Sequence, residues 1–281
     1  MDISSKNEVK QLINGIKASD GDGVQLTRLI GSANLMQLDP FLLFDAFGSD
    51  QPQDYIGGFP PHPHRGFETV TYMLAGKMRH QDSAGNSGVI EADGVQWMTA
   101  GKGIIHSEMP EQEQGLLAGF QLWVNLPAKD KMTEPKYQEK SADDISQEIR
   151  EGSQLKVVSG TTQQGTQGVI KNDTIAPIYW DIKLTKQHNF SDVIPCTHNA
   201  FIYIISGEVI IGDKKTKVQQ GQLATLTHAD SLSIWANYDS RFLLIAGKPL
   251  NEPVERAGPF VMNTREEIEQ AFADYQRGEF A

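Results

Sequence analysis

Residues 62–76 read HPHRGFETVTYMLAG, and the histidines that open this stretch organise the chain. His62 and His64 are two residues apart, and Glu68 follows further along the same run. In an extended strand, the side chains at positions i and i+2 point to the same face. The spacing therefore predicts that His62, His64 and Glu68 lie on one face of a β-strand.

A second pair of candidate ligands, His106 and Glu108, has the same i, i+2 spacing. If this segment neighbours the first as a strand, their shared face holds three imidazoles and at least one carboxylate. Such a mixed set suits Fe, Zn, Ni, Cu or Mn better than Ca²⁺, which prefers oxygen ligands alone. The sequence therefore predicts a transition-metal site in the N-terminal half.

The residues around the histidines favour strands over a helix. Pro63 cannot donate to a sheet ladder and would break a helix interior, so it fits an edge strand or the start of a strand. A helical metalloprotease motif would place two histidines at i and i+4 with a glutamate between them, and the sequence has none. The metal site is thus predicted to be carried by β-structure.

The composition argues against nucleic-acid and membrane binding. The chain has 281 residues, a net charge of −11 and no basic half, so neither DNA nor an anionic membrane would be attracted. Its single cysteine, Cys196, allows no internal disulfide and suits a reducing compartment. The first residues, MDISSKNEVK, lack the apolar core of a signal peptide. We expect a cytoplasmic protein.

Short β-branched and aromatic runs separated by turn residues recur along the chain. This regular spacing predicts an all-β fold built from sandwiches or barrels. A polar, proline-punctuated segment at 127–154 is the predicted linker. We therefore expect an N-terminal domain over 1–140, which holds the metal site, and a C-terminal domain over 141–281, which has none and ends in a helix.

Two short helices are predicted, one near each end of the chain. Within residues 5–17, helical spacing is shown by Val9, Leu12, Ile13 and Ile16. Near the other end, Thr264 and Glu267 have the spacing of a capping box, and Gly278 marks the stop.

A weak internal repeat relates ETVTYMLAG at 68–76 to NAFIYIISG at 199–207. Two copies of one β-unit would account for the length of the chain. The second copy lacks both the His-x-His and the His-x-Glu pairs, which indicates a scaffold without a metal. The isolated histidines of this half are interpreted as structural; they are His188, His198 and His228.

Further candidates near the predicted site have simpler explanations. His80 and Asp82 form another i, i+2 pair, but they lie among turn-forming residues and are interpreted as structural. Several apolar side chains could line a substrate cavity, although each is more simply explained as core. They are Phe67, Met73, Trp97, Met98 and Trp123.

Together these motifs resemble the cupin signature and, more closely, the pirin family of bicupins. The general cupin signature differs in having a proline in its second motif and a glycine one residue nearer to Glu68. The pirin resemblance covers nearly the whole chain. It rests on LDPFLLFDAFG (38–48), HPHRGFETVTYML (62–74), GVQWMTAGKGIIHSEMP (94–110), QLWVNLP (121–127) and GPFVMNTREEIEQA (258–271).

The resemblance implies two cupin-type barrels, of the double-stranded β-helix or jelly-roll kind, with one metal in the first. The implied ligands are His62, His64, His106 and Glu108, whereas a general cupin pattern would take Glu68 as the carboxylate. The family is associated with iron, so we expect Fe(II). Zn, Ni, Cu and Mn would fit the same ligands.

Pirins and their bacterial relatives resemble quercetin 2,3-dioxygenases. The resemblance therefore implies an oxidoreductase that cleaves a flavonol-like substrate with O₂ and releases CO, with Glu108 as the candidate catalytic base. The mammalian members are known as nuclear transcription co-regulators. The alternative is thus a non-catalytic iron-binding regulatory protein that acts through a protein partner. A third interpretation is a cupin-type isomerase or small-molecule binder.

Overall fold

A computed structural model describes residues 6–280 and shows strands throughout, with one α-helix among these residues, α1 (Arg265–Arg277). The predicted all-β class is confirmed. The chain forms two compact units. None of the described helical segments has the length and apolar character needed to cross a membrane.

The N-terminal unit comprises residues 16–32, 41–142 and 250–280. Its strands are β2 (Ile16–Asp20), β3 (Val24–Ile30), β4 (Phe41–Ser49), β5 (Phe59–His64), β6 (Phe67–Ala75), β7 (Met78–Asp82), β8 (Ser87–Ile90), β9 (Val95–Thr99), β10 (Ile104–Pro110), β11 (Leu117–Asn125), β12 (Lys136–Lys140), β23 (Glu255–Ala257) and β24 (Phe260–Met262). One sheet has the order β12-β9-β6-β11-β4-β3-β2, a second has the order β5-β10-β7-β8, and β23 and β24 form a hairpin. Short 3₁₀ turns occur at Pro52–Asp54 and Ala128–Asp130.

The C-terminal unit comprises residues 6–15, 33–40 and 143–249. Its strands are β1 (Val9–Asn14), β13 (Ser146–Arg150), β14 (Ser153–Ser159), β15 (Ile178–Leu184), β16 (Asn189–Val193), β17 (Asn199–Ser206), β18 (Glu208–Ile211), β19 (Thr216–Gln219), β20 (Gln222–Leu226), β21 (Ser231–Ala236) and β22 (Ser240–Gly247). Its two sheets have the orders β1-β20-β17-β22-β15-β14-β13 and β16-β21-β18-β19.

The two units repeat one topology, because each strand of one sheet order has an equivalent in the other. The weak repeat in the sequence falls on β6 and β17, which hold the same place in their sheets. Across β5 and β10, His62 pairs with His106; across the equivalent β16 and β21, Phe190 pairs with Ile234. Both of these apolar residues are buried. The interior of the C-terminal unit is therefore apolar where the N-terminal unit carries imidazoles.

The predicted N-terminal helix is wrong over the described residues, which form strands β1 and β2 instead. β1 pairs antiparallel with β20. Only Ile13 is buried, whereas Leu12 and Ile16 are exposed by 40% and 41%. The apolar residues therefore do not form a helical stripe, and pairing with a distant strand overrides their spacing. Residue 5 of the predicted helix lies outside the described residues.

The compact units differ from a contiguous division of the chain into 1–140 and 141–281. Their main bodies separate between residues 142 and 143, inside the predicted linker at 127–154. Strands β12 and β13 nevertheless occupy much of that segment. The ends of the chain cross over: residues 6–15 belong to the C-terminal unit, and residues 250–280 to the N-terminal unit.

Helix α1 follows the predicted capping pattern. The Thr264 hydroxyl accepts from the Glu267 N–H, the Glu267 carboxylate accepts from the Thr264 N–H, and Gly278 ends the helix at φ 70°. Its apolar face includes Ile268 and Ala271, which pack with Phe260 of β24. The helix is therefore anchored to the unit that carries the histidines.

Candidate metal centre

Strands β5 and β10 place the predicted ligands opposite one another. They pair antiparallel, with His62 opposite His106 and His64 opposite Ile104. His106 and Glu108 are both buried while Ser107 between them is less so, as the alternation of a strand requires. The structure thus brings side chains from both sequence motifs to one face of one sheet.

Three imidazoles converge at this point. The Nε2 atom of His62 lies 2.9 Å from Nε2 of His64 and 3.1 Å from Nε2 of His106. His64 and His106 are buried, and His62 is partly buried. The Nδ1–H of His62 can donate to the Pro60 carbonyl at 2.8 Å, which leaves the Nε2 lone pair directed at the other two rings. Among the described residues, these three histidines are the set whose donor atoms could hold an ion.

Burial keeps two of these rings neutral. Desolvation lowers the pKa of His64 well below its usual value, and the nearby His106 and His62 lower it further. Desolvation also lowers the pKa of His106 well below its usual value, followed by the effects of His62 and His80. A neutral imidazole has a free lone pair, which is the form that binds a metal.

The donor set fits a transition-metal ion. Two nitrogens that each lie about 2.1 Å from one ion are about 3.0 Å apart when they subtend a right angle. The Nε2 separations of 2.9 and 3.1 Å match that spacing. Neutral imidazole nitrogens suit Fe, Zn, Ni and Cu. The residues present therefore fit the cation that the sequence predicts.

Glu108 lies on the same strand face as His106, but it is not among the donors that lie within 4.8 Å of one another. Its carboxylate is buried, and Oε1 accepts a hydrogen bond from the Thr71 hydroxyl at 2.8 Å. Oε2 accepts a longer bond of 3.4 Å from the Gln121 amide. Both partners orient the carboxylate, and its role as the fourth ligand stays a prediction.

Glu68 occupies the other face of its sheet. On β6 it is three residues from Thr71, whose hydroxyl contacts Glu108, so the two side chains point in opposite directions. The Glu68 carboxylate accepts instead from the Thr99 hydroxyl at 2.7 Å. The prediction that Glu68 shares a face with His62 and His64 is wrong. Gly66, at φ +85°, separates β5 from β6 and breaks the alternation.

His80 and Asp82 lie beside the three histidines on β7. Asp82 is opposite His106 and His80 is opposite Glu108. The Asp82 carboxylate accepts from the backbone N–H groups of Ala84 and Asn86, so it is the turn former that the sequence predicts. His80 is buried, and its Nε2 lies 2.7 Å from the Glu139 carboxylate. It is therefore paired with Glu139 and is not part of the histidine cluster.

A buried arginine fixes the chain directly after His64. Arg65 is 4% exposed, and its Nε donates to the Lys102 carbonyl. Its Nη1 donates to the Asp274 carboxylate of α1 at 2.7 Å, and its guanidinium lies 4.4 Å from the Phe280 ring centroid. The C-terminal helix is thereby tied to the histidine segment.

A buried lysine, Lys131, holds the backbone of Gly66, which follows Arg65. Lys131 is 1% exposed, and its Nζ donates to the Gly66 carbonyl, the Asn125 side chain and the Val261 carbonyl at 2.8, 2.8 and 3.0 Å. A Cβ at Gly66 would lie 1.9 Å from the Val261 oxygen, so only glycine fits here. Lys131 joins the histidine segment to β11 and β24.

Lys131→Met is expected to lower the free energy of unfolding by about 2–4 kcal/mol, because it leaves three buried oxygens without their donor. Burial lowers the pKa of Lys131 to about 8 in the folded protein. The unfolded chain therefore holds this proton more tightly, and the wild-type advantage grows as the pH rises from about 8 toward 10.5. Urea unfolding measures both effects, with the exposed Lys129→Met as the matched control. Equal midpoints for the two variants would contradict the assignment.

A cavity of about 700 Å³ opens beside the histidines. This volume is within the range that accommodates a small organic ligand. Its polar wall includes His62, His64, Glu108 and Gln121. The apolar lining is formed by Leu26, Leu43, Phe47, Phe59 and Trp123, and the charged residues of the lining include Asp20, Asp45 and Arg256.

Of the apolar residues considered as cavity lining, Trp123 lines this cavity. Its ring is edge-on to His64 at 5.2 Å and packs on Phe67 at 4.3 Å. The other four are at most 2% exposed and are not part of the cavity wall; they are Phe67, Met73, Trp97 and Met98. They are core residues, as the simpler interpretation holds.

Comparison with known proteins identifies the fold family. The family model described as pirin matches residues 23–124, and the one described as the pirin C-terminal cupin domain matches residues 179–281. A pirin-like protein of Caulobacter vibrioides is 49% identical over 273 residues, which cover 97% of this chain and 98% of that protein. The chain belongs to the pirin family. The predicted resemblance and the predicted pair of cupin domains are confirmed.

Two further proteins are similar to this chain over nearly its whole length. Pirin of Homo sapiens is 44% identical over 280 residues, covering 98% of this chain and 94% of the human protein. A solved structure of quercetin 2,3-dioxygenase from Acinetobacter baumannii matches with a TM-score of 0.90 and 35% identity, covering 99% of each chain. Both similarities therefore extend over nearly the whole of this chain.

Proposed function

We propose that this pirin is a metal-dependent dioxygenase of the quercetin 2,3-dioxygenase type, which cleaves a flavonol-like substrate with O₂ and releases CO. The observation that carries the proposal is the convergence of three imidazoles at the wall of a cavity of about 700 Å³. The similarity to the Acinetobacter baumannii enzyme over 99% of the chain supports it.

The proposed ligands are His62, His64, His106 and Glu108, and the proposed metal is Fe(II). Zn, Ni, Cu and Mn suit the same donors, so the metal supplied by the cell decides the occupant. When bound, the metal supplies Lewis acidity and open coordination positions for substrate and O₂.

Glu108 is the proposed base for the substrate hydroxyl. Its carboxylate faces the cavity and is oriented by the Thr71 hydroxyl and the Gln121 amide. Proton transfer to Glu108 makes the substrate ring electron-rich and therefore reactive toward O₂. The carbon that bears this hydroxyl leaves as CO and both atoms of O₂ enter the cleaved product, so no added reductant is needed.

The apolar wall has the chemistry to hold a planar aromatic substrate. Phe47, Phe59 and Trp123 line the cavity together with the candidate ligands. Aromatic faces bind planar rings with little loss of side-chain freedom and exclude water from the reacting atoms. The proposed substrate is therefore a planar, largely apolar polyphenol.

The proposal is tested with protein purified without chelators or added metal. Its metal content is measured, and quercetin is then added in air while absorbance, O₂ consumption and released CO are recorded. We expect one transition metal per chain and equal amounts of quercetin lost and CO formed. Protein that holds one metal per chain but leaves quercetin unchanged would contradict the enzyme.

A second candidate is a metal-binding regulatory protein that acts through a protein partner. The observation that favours it is the identity of 44% with human pirin over 98% of this chain. The same assay separates the two candidates, because a regulator of this kind binds the metal without consuming O₂. A partner would then be sought with the metal-loaded protein.

Metal removal is expected to lower the thermal midpoint of the protein by about 5–15 °C. An ion that binds the folded state alone stabilises it, by about 4 kcal/mol when present at 1,000 times its Kd. Differential scanning calorimetry before and after dialysis against a chelator measures the shift. The His106→Ala variant should show no shift, and coincident melts for metal-loaded and stripped wild-type protein would contradict a site at these histidines.

A further inference from the structure

The hairpin of β23 and β24 forms part of the lining of the cavity beside the histidines. Arg256, Gly258 and Pro259 line the cavity, although they follow the last strand of the C-terminal unit in sequence. Gly258 turns the hairpin at φ +57° with no other atom close to its Cβ position. The hairpin therefore brings an arginine to a cavity whose lining residues outside the hairpin all come from the first half of the chain.

Arg256 is held by stacking and by no carboxylate. Its guanidinium lies 4.5 Å from the ring centroid of Trp123, within cation–π distance. Within residues 6–280 it makes no hydrogen bond or ion pair. A stacked guanidinium keeps its N–H groups free along its edge, where they can donate to a planar anion.

The nearby carboxylates are already engaged by a different arginine. Arg28 donates to Asp45 at 3.0 and 2.7 Å, in the two-pronged geometry that satisfies both partners, and to Asp20 at 2.9 Å. Desolvation and repulsion from Arg28 lower the pKa of Arg256, while the carboxylates of Asp45 and Asp20 raise it by less. Both carboxylates hydrogen-bond to Arg28 and neither hydrogen-bonds to Arg256, so the N–H groups of Arg256 can donate to a ligand.

Trp123 links this arginine to the candidate metal centre. The ring centroids of Trp123 and His64 are 5.2 Å apart in a T-shaped arrangement, and the guanidinium of Arg256 lies over the indole face at 4.5 Å. Trp123 thus contacts both His64 and Arg256, so the aromatic wall of the cavity runs from the candidate ligands to the guanidinium. The cavity therefore offers two polar ends joined by an aromatic wall.

We propose that Arg256 is a specificity-determining residue that binds a carboxylate at the end of the aromatic substrate remote from the histidines. The proposal rests on the proposed dioxygenase function for the orientation of the substrate. It narrows the substrate class from planar polyphenols in general to those that carry an acid group. Arginine pairs with a carboxylate through two parallel N–H bonds, so the acid should be preferred over a neutral group of the same shape.

The test compares two probes, 3-hydroxyflavone-4′-carboxylate and the corresponding 4′-carboxamide. Their Kd values are measured by titration calorimetry without O₂, so that no turnover occurs. We expect the wild-type protein to bind the carboxylate about 10-fold or more tightly than the amide. The ratio should fall to about 1 in Arg256→Gln and to an intermediate value in Arg256→Lys, which keeps the charge but loses the two-pronged geometry. Arg265→Gln, an exposed arginine on α1, should keep the wild-type ratio.

A wild-type protein that binds both probes equally or binds neither, or an Arg256→Gln variant that keeps the wild-type ratio, would overturn the assignment of Arg256. Because each ratio is taken within one protein preparation, a partly unfolded variant does not distort it. Quercetin turnover is measured separately in air. If quercetin is not turned over but the carboxylate probe still binds more tightly than the amide, the dioxygenase proposal fails and the role of Arg256 is retained. If quercetin is turned over but the two probes bind equally, the role of Arg256 fails and the dioxygenase proposal is retained.

Discussion

His106→Ala is expected to lose stoichiometric metal binding and to lower quercetin turnover by about 1,000-fold or more, equivalent to about 4 kcal/mol of transition-state stabilisation. The ring is 1% exposed, and its Nε2 lies 3.1 Å from that of His62, so its removal opens one side of the imidazole cluster. The matched control is His228→Ala, an exposed histidine of the C-terminal unit whose ring contacts the Cys196 carbonyl and Asn199. Metal analysis and CO release measure the two effects.

The control variant should keep one metal per chain and wild-type turnover. A His106→Ala protein that still holds one metal per chain would place the ion elsewhere, and His80, which neighbours His106, would be the first residue to examine. Circular dichroism of both variants separates loss of the metal from loss of the fold.

Glu108→Gln is expected to lower turnover by about 100-fold or more and to weaken metal binding, whereas Glu68→Gln keeps both. The two glutamates form a matched pair: each is 4% exposed and each accepts a hydrogen bond from a threonine hydroxyl, Thr71 or Thr99. They differ in position: Glu108 on β10 lies on the strand face of His106, whereas Glu68 on β6 lies on the face of its own sheet that is turned away from Glu108. Glutamine keeps the size of the side chain but removes the negative charge and the basicity.

The comparison decides between two patterns of ligands for cupin barrels. If Glu68→Gln loses the metal while Glu108→Gln keeps it, the carboxylate ligand is Glu68. The assignment of Glu108 as ligand and base is then wrong. Metal content and kcat are measured on both variants, and urea unfolding shows whether either change has destabilised the protein instead.

The shared face of each pair of candidate ligands could be predicted because it depends on a local rule, whereas the pairing of β5 with β10 that brings the histidines together is a contact between distant segments. Two-residue spacing sets a shared face on a strand, and both histidine motifs are long enough to show it. The failure at Glu68 has an equally local cause, since the same rule does not extend across the left-handed Gly66. A glycine inside an apparent strand is a signal that the alternation can change there.

Other features depend on pairings between distant residues and could not be read from spacing. Strand β1 forms because β20 offers it an edge, although its own apolar residues favour a helix. The contact of Thr71 with Glu108 and the stacking of Arg256 on Trp123 join positions far apart in sequence. The repeat at 68–76 and 199–207 predicts that β6 and β17 are equivalent, but it does not identify the residues that complete the cavity.

The crossing of the chain ends has a consequence for synthesis on the ribosome. The barrel that carries the histidines is mostly translated first, yet Arg256 and the anchor residues Val261 and Asp274 emerge only at the end. Domains that are contiguous in sequence can fold as they emerge, whereas the last strands and the helix of this unit are translated after the C-terminal unit. A nascent chain stalled after residue 249 would therefore present the imidazoles before the wall that encloses them.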